Sequence, residues 1–495
     1  MNLHDQVIAA DRPDTRQWSD YQQAIFEAVR SSDSNLLIQA VAGSGKTTTI
    51  IQATNYAASP ALLLAFNKDI ALDIQAKLEV GTAKTLNALG HRLWMQNAAG
   101  AKLDADKLEK LAVREMPSDL YRKFGFMLKR IVGQAKAAGV GIGAQVNSSD
   151  FDHFITNGEW DIDDADIASL AHYAARVFNA SRSDLQTFDF DDQIYGPVYH
   201  DWSFPAFGTV LVDEAQDLNR IQHLFLQKLS EAGARMIAVG DRHQAIYAFR
   251  GALSNSLDLL ADHFKMEELP LSISYRCPLS VIREAQQIVP HIEARPGAPE
   301  GLVQYRSDSA PNEEYGEDPK LFEKDHLVIC RNNAPLFAAV MRHVRERSPC
   351  RVRSNALDGL SSFIKRFRTS DAREMLLRLD RWLVKETAAA EAKGMPWKVA
   401  ALEDKANTIR SLAEGFTLVD EVLAVLRQLS EGRTGPIFST IHKAKGLEAD
   451  HVYFLRPDLV PAWFIKEPAA LQQEQNLRYV AITRAKQSLT YGVRR

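Results

Sequence analysis

The stretch Gln39–Thr49, QAVAGSGKTTT, admits few folds. It follows the apolar run Leu36, Leu37, Ile38 and leads into a segment, Thr47 to Tyr56, with helical character. A strand, a glycine-rich turn and a new helix in that order make a phosphate-binding loop of an α/β fold. Gly43 and Gly45 let the backbone aim successive N–H groups at one anion, and the positive end of the new helix acts on the same point. Ala42, Ser44 and Thr48 complete the wrap, Lys46 reaches the β- and γ-phosphates of a nucleotide, and the Thr47 hydroxyl is placed to ligate Mg²⁺. The general pattern opens on glycine where this chain has Ala40 or, by register, Val41; a small residue still suits the turn.

At 495 residues the chain is too long for one core and is expected to form two to four domains. A net charge of −4 does not advertise nucleic-acid binding, so any DNA contact must use a local basic track. Cys277, Cys330 and Cys350 form no CxxC pair, which suggests neither a disulfide framework nor a zinc site. The N-terminus lacks an apolar signal core and no stretch approaches 18 apolar residues, so neither secretion nor membrane insertion is expected. Residues 1–16 read as a polar tail.

In chain order, Ser19 or Asp20 can cap a helix that turns Ile25, Phe26 and Val29 inward. Gln22, near its start, carries a carboxamide able to donate to and accept from adenine at once; the bland alternative is an exposed helical glutamine. ALLLAFNKDIALDI reads as a strand ending in Phe66-Asn67-Lys68, where an aromatic can stack on a base, and Thr85 and Asn87 repeat the theme before a helix. From about His91 to Ser183 the periodicity turns helical. One helix there carries Arg122, Lys123, Lys129, Arg130 and Lys136, a candidate DNA face, and a Gly-rich acidic linker follows from Val140 to Asp166.

The α/β pattern is expected to resume at TFDFDD, Thr187–Asp192. The four strand formers Thr209–Val212 then deliver Asp213 and Glu214 to the carboxyl end of a sheet, where doubly wound folds bind ligands. Asp213 can hold Mg²⁺ and Glu214 can deprotonate the attacking water. A strand at Met236–Val239 runs into Gln244, placed to sense a γ-phosphate, and into Tyr247, Phe249 and Arg250, which interleave aromatics with a cation. A second unit begins with a strand at Leu271–Ser274 opening on Tyr275-Arg276, then strands at His326–Cys330, Ile437–Thr440 and His451–Leu455, with a helical insertion over about 353–433.

Together AGSGKT, VDEAQD, VGDxxQxIYxFRGA, SYRCP, TIHKAKGLE and NLRYVAITRA resemble the motif series of UvrD/Rep-type superfamily 1A DNA helicases, from Trp18 to Val493. The resemblance implies an α/β fold of two RecA-like domains with parallel sheets, each interrupted by a mainly helical insertion. It divides the chain into domain 1A at 17–90 and 184–269, insertion 1B at 91–183, domain 2A at 270–352 and 434–495, and a compact insertion 2B at 353–433. That short 2B is similar to the F-box DNA helicase branch and phage-type relatives, although no F-box segment is present. It further implies that Gln22 reads adenine and Tyr275 stacks on it, that Arg276 and Arg484 reach the γ-phosphate from the second domain, and that Gly446 and Glu448 contact nucleotide. Phe66, Asn67, Thr85, Asn87, Tyr247, Phe249, Arg250 and His442 fall where the family meets single-stranded DNA. Asn87, Phe249 and Ser274 stand where many members have His, Trp and Asn.

The expected activity is ATP- and Mg²⁺-dependent 3′→5′ translocation on single-stranded DNA with duplex unwinding, since Gln244–Gly251 has the 3′→5′ form of its motif. The alternative is an ATP-gated DNA-binding switch or protein-displacing remodeller; a GTPase fits poorly, as nothing resembles an Asn-Lys-x-Asp guanine reader. Expected partners are single-stranded DNA, its junctions with duplex, and accessory replication or repair proteins, with a monomer in the absence of DNA. The expected setting is the cytoplasm of a bacterial or phage-infected cell, or a eukaryotic nucleus. About ten residues follow the last motif, so no appended nuclease domain is expected.

Overall fold

A computed structural model describes residues 17–156, 158, 162, 164–246, 253, 255–307, 322–353 and 357–493. Among them, β1 (Leu36–Ala40), β2 (Ala61–Leu64), β3 (Thr82–Lys84), β6 (Thr209–Val212), β7 (Arg235–Gly240) and β8 (Glu267–Leu271) form one parallel sheet in the order β3-β2-β6-β7-β1-β8. Its inner strands are apolar runs: β2 and β6 are buried at every position, as a parallel sheet covered on both faces demands. Helix α1 (Asp20–Ser31) opens on Ser19, whose side chain accepts from the Gln22 backbone N–H while the Gln22 side chain accepts from Ser19 N, and it buries Ile25, Phe26 and Val29. Helices α2 (Lys46–Thr54) and α3 (Lys68–Gln75) follow β1 and β2.

The expected strand Leu271–Ser274 is divided. Leu271 closes β8, an edge strand paired only with β1, and such an edge tolerates Pro270. Ile273–Ser274 is a separate strand, β9, paired with β10 (Glu293–Ala294). The expected boundary between residues 269 and 270 therefore falls inside a strand of the first sheet.

Helix α4 (Leu86–Asn97) runs straight through the expected boundary at 90/91 into a helical lobe. That lobe holds α5 (Lys107–Glu115), α6 (Ser118–Ala137), α7 (Asp152–Thr156), α8 (Asp164–Ser183) and α9 (Asp192–Tyr199). TFDFDD does not rejoin the main sheet: Thr187–Phe188 is β5, paired with β4 (Lys102–Leu103), and Phe188 is buried against Trp94 with ring centroids 4.8 Å apart. The expected linker Val140–Asp166 includes a 3₁₀ turn at Ser148–Phe151 and α7, because Phe151 and Ile155 insert into the core.

The basic helix α6 is a correction of another kind. Lys136 is fully buried, its Nζ 2.9 Å from Asp189 Oδ2 and 2.7 Å from Asp192 Oδ1, and Lys107 meets Asp192 Oδ2 at 2.7 Å. Lys123 and Lys129 pair with Asp166 and Glu109. Helical spacing placed Lys136 on the polar side, but it points at the carboxylates of the β5–α9 connection.

After α10 (Arg220–Glu231) and α11 (Ser256–Phe264), the second sheet is built from β11 (Leu302–Ser307), β12 (His326–Cys330), β13 (Arg351–Arg353), β14 (Ile437–Thr440), β15 (Ala449–Leu455) and β16 (Ala485–Val493). All pair parallel, in the order β11-β16-β15-β12-β14-β13. Helices α12 (Leu279–Gln286) and α13 (Asn333–Arg345) precede four helices between β13 and β14: α14 (Leu357–Lys365), α15 (Ala372–Ala392), α16 (Pro396–Ala413) and α17 (Val419–Glu431). Helices α18 (Ile441–Ala444) and α19 (Pro468–Ile482) return the chain to the sheet. The two halves meet in one apolar cluster in which Val41, Ala42 and Ile246 pack with Cys277, Ile441 and Tyr479. No described helix is long and apolar enough to cross a membrane.

Candidate functional site

The loop after β1 turns through Gly43 (φ 74°) and Gly45 (φ 78°), and α2 starts at Lys46. A Cβ at Gly43 would meet Arg276 Cβ at 2.6 Å and Ser274 Oγ at 2.9 Å, so only glycine fits under the connector, whose Tyr275 N donates to Gly43 O at 2.9 Å. Ser44 Oγ is buried with no hydrogen-bond partner among the described residues. An orphaned hydroxyl in a turn at a helix N-terminus suits a phosphate oxygen. Ala42 is buried, its N–H donating to Tyr479 OH at 2.9 Å; Thr48 is exposed.

The carboxyl ends of β1 and β6, with β7 between them in the sheet, bring two polar pairs together. Thr47 Oγ1 donates to Asp213 Oδ2 at 2.8 Å, and Lys46 Nζ lies 2.9 Å from Glu214 Oε2. Burial alone would depress the Lys46 ammonium, but Glu214, Asp241 and Asp213 outweigh it and hold its pKa above the ordinary lysine value. Burial and the neighbouring Glu214 charge push Asp213 up to about 6. Glu214 moves the other way: against its burial, Lys46 and Lys445 hold it ionised well below the usual carboxylate range. Lys46 is the cation already set against these two carboxylates, and Thr47 Oγ1 with Asp213 is a hard-oxygen donor pair that fits Mg²⁺.

Just after β7 of the same sheet, Gln244 is buried; its Nε2 donates to Asp241 Oδ2 at 2.6 Å, and its Oε1 accepts at 3.4 Å from Nη2 of Arg484, which belongs to the second half. Lys445 donates to Gln244 O and Asp217 Oδ1, each at 2.7 Å, while burial draws the Lys445 ammonium down and the Asp217 carboxyl up. Arg484 is fully buried and also donates to Val480 O and Leu447 O. Arg276 stands on the connector between the sheets, beside Gly43, rather than on the second sheet; it bonds Glu448 at 2.8 Å and Thr483 O at 3.2 Å. Gly446 is an exposed turn glycine (φ 84°) beside this pair. Gln22 is buried, not exposed: its Nε2 donates to Thr49 Oγ1 at 2.9 Å and its Oε1 accepts from Tyr275 OH at 3.4 Å.

The residues expected to meet DNA divide into groups. Phe66 is 58% exposed just beyond the carboxyl end of β2. Asn67 and Thr85 are helix caps, accepting from Ile70 N and Ala88 N, so their side-chain oxygens have local work. Asn87 lies in the first turn of α4 rather than before it, and donates to Phe190 O at 2.8 Å and Gln193 Oε1 at 3.0 Å. His442 is half-buried on α18. Tyr247, Phe249 and Arg250 lie outside the described residues. Sequence reading missed Phe190, an aromatic 56% exposed directly beside Asn87. The alternation Phe188–Phe190 was the available signal, one ring buried and the next left out.

Two family descriptions match the chain: "UvrD/REP helicase N-terminal domain" over residues 65–265 and "UvrD-like helicase C-terminal domain" over residues 403–493. The first match begins after the Gly43–Thr48 loop, which stands on its own geometry. The F-box DNA helicase protein 1 of Schizosaccharomyces pombe is 24% identical over 523 aligned positions, covering 97% of this chain and 58% of that protein. A probable DNA helicase II homolog of Mycoplasma pneumoniae is 34% identical over 102 positions, covering 20% of this chain and 14% of its own length. DNA helicase II of Haemophilus influenzae is 24% identical over 400 positions, 57% of this chain and 55% of that protein. The chain thus spans little more than half the length of these relatives at most.

Proposed function

The chain belongs to the UvrD/Rep-type helicase family, and on that premise we propose that it is a DNA-dependent ATPase that moves 3′→5′ along single-stranded DNA and unwinds duplex. The observation that carries this reading is the double pairing Lys46–Glu214 and Thr47–Asp213 at the ends of β1 and β6, with Lys445 and Arg484 of the second half bonded to nearby Gln244. The two sheets are the motor domains 1A and 2A, and the helical lobes that interrupt them are 1B and 2B. Thr47 and Asp213 would hold Mg²⁺, which when bound supplies charge neutralisation at the transferring phosphate. Lys46 exchanges Glu214 for the β- and γ-phosphates of ATP. Glu214, freed of that partner, accepts the proton of the attacking water. Gln22 and Tyr275 lie next to each other where a base can be read and stacked.

Arg276 and Arg484 supply planar cations to the γ-phosphate when the cleft is shut, and Gln244 ties that phosphate to Arg484. Loss of the γ-phosphate removes the ligand that favours closure, so the two sheets part. Phe66, Phe190 and His442, with Tyr247, Phe249 and Arg250, grip bases of the single strand, and alternate grip and release convert the cycle into steps. Phe190→Ala and Phe66→Ala are each expected to weaken binding to a 16-nucleotide oligo(dT) by about tenfold, measured by fluorescence anisotropy; unchanged affinity removes that ring from the track.

The deciding experiment is strand displacement on duplexes with a 3′ or a 5′ single-stranded tail. Displacement from the 3′-tailed duplex alone is expected. Displacement only from the 5′-tailed duplex reverses the polarity, and DNA-stimulated ATPase without any displacement favours a protein-clearing switch.

A further inference from the structure

Beyond Glu214 the chain makes a 3₁₀ turn, Ala215–Asp217, and its middle residue, Gln216, is 1% exposed. A carboxamide buried to that degree needs partners at both ends. Gln216 Oε1 accepts at 3.1 Å from the backbone N–H of Asp241, the first residue beyond β7. With that end fixed by a donor, Nε2 has to face acceptors; it donates to Glu214 Oε2 and reaches Asp217 Oδ2 at 3.4 Å. The approach to β7 is close enough to dictate the residue there, since a Cβ at Gly240 would lie 2.6 Å from Gln216 Oε1. The turn is anchored on either side of Gln216: Ser256 Oγ donates to Ala215 O at 2.7 Å, and Lys445 Nζ donates to Asp217 Oδ1.

Among the described residues the Glu214 carboxylate takes two side-chain donors, Lys46 and Gln216, and both act on Oε2. Lys46 stands at the start of α2, beside the phosphate loop, and leaves for the phosphates when nucleotide binds. Gln216 is buried and tied to the end of β7, so it is the donor that stays. A carboxylate held by one oxygen cannot swing, and Oε1, which takes no bond among the described residues, is left to accept a proton. Asp241 also accepts from Gln244 Nε2, so the group that fixes Glu214 is fixed in turn beside the residue placed to sense the γ-phosphate.

We propose that Gln216 is a positioning residue for ATP hydrolysis, holding Glu214 by Oε2 after Lys46 has gone to the phosphates and so presenting Oε1 to the attacking water. The proposal rests on the reading of Glu214 as the general base. A buried glutamine that merely stitched the ends of β6 and β7 together would need only its bond to Asp241 N.

The test is single-turnover hydrolysis of radiolabelled ATP by the full chain with saturating oligo(dT). Gln216→Met keeps the length of the side chain and loses both hydrogen bonds. It should slow hydrolysis about a hundredfold while a fluorescent ATP analogue binds within about threefold of the unaltered protein, because displacing a reacting group by about 1 Å costs that much in rate and nothing in binding. The deciding comparison is the double variant. Residues that act as a unit are not additive, so Glu214→Gln with Gln216→Met should hydrolyse no more slowly than Glu214→Gln alone. Losses that multiply, or near-normal turnover by Gln216→Met, overturn the positioning role. Should Gln216→Met melt below the assay temperature, Gly240→Ala presses on the same carboxamide from β7 and carries the same measurements. Turnover by Glu214→Gln within tenfold of the unaltered protein would instead remove the base reading itself.

Discussion

Glu214→Gln is expected to slow DNA-stimulated ATP turnover by about a thousandfold while leaving ATP and DNA bound, because general-base catalysis is worth about 10²–10⁴ in rate. Glu214 is held in an unfavourable backbone conformation, φ 52° and ψ 39°, for a residue that is not glycine. Such a conformation persists only where the surroundings enforce it. Here Glu214 N donates to Asp213 Oδ1 at 2.9 Å, and its carboxylate takes Lys46 and Gln216. Before nucleotide binds, Lys46 and Lys445 hold Glu214 ionised, the form a base requires. The carboxamide keeps the shape and the contact with Gln216 but cannot accept the proton. Pre-steady-state kinetics with a fluorescent ATP analogue separate the steps: binding close to that of the unaltered protein with hydrolysis nearly abolished is the expected pattern. Turnover within tenfold of the unaltered protein would take Glu214 out of the base role.

The parts of this site legible in the sequence are those where a single strand end carries the chemistry. Thr209–Val212 and His326–Cys330 are strands at the expected bounds, because a short apolar run closed by polar residues has one buried solution in a parallel sheet. The misreadings share a cause, which is partner choice. Leu271 and Ile273 are both strand residues, yet nothing local says that the first pairs with β1 and the second with β10. Phe188 alternates as a sheet strand would, but its neighbour is Trp94 of a helix. Gln22 escapes the bland alternative of an exposed helical glutamine because Thr49 and Tyr275 close over it. Lys136 looked like surface for the same reason: charge type predicts exposure only until a carboxylate pair is folded against it.

That pairing carries the second large effect. Asp192→Asn should cost about 3–5 kcal/mol of stability at pH 7, since it leaves the ammonium groups of Lys107 and Lys136 buried without their shared counter-charge. All three side chains are 1–2% exposed, so solvent offers little relief. Burial would raise the Asp192 carboxyl, but Lys136 and Lys107 outweigh it and hold its pKa below the ordinary carboxylate range. A depressed carboxyl contributes stability that is fully present above the unfolded value, about 3.9, and is lost as pH falls below that toward the folded value. The gap between Asp192→Asn and the unaltered protein should therefore be constant from pH 5 to 8 and narrow below pH 4, in urea titrations followed by far-UV circular dichroism. A gap under about 1 kcal/mol at pH 7 would mean that water reaches the lysines. The loss should also reach the proposed DNA face, because Asp189 N donates to Asp192 Oδ2 at 3.1 Å and the segment they bracket carries Phe190, whose carbonyl accepts from Asn87. Weakened oligo(dT) binding by a still-folded Asp192→Asn protein is the expected sign that the buried charges set the position of the exposed ring.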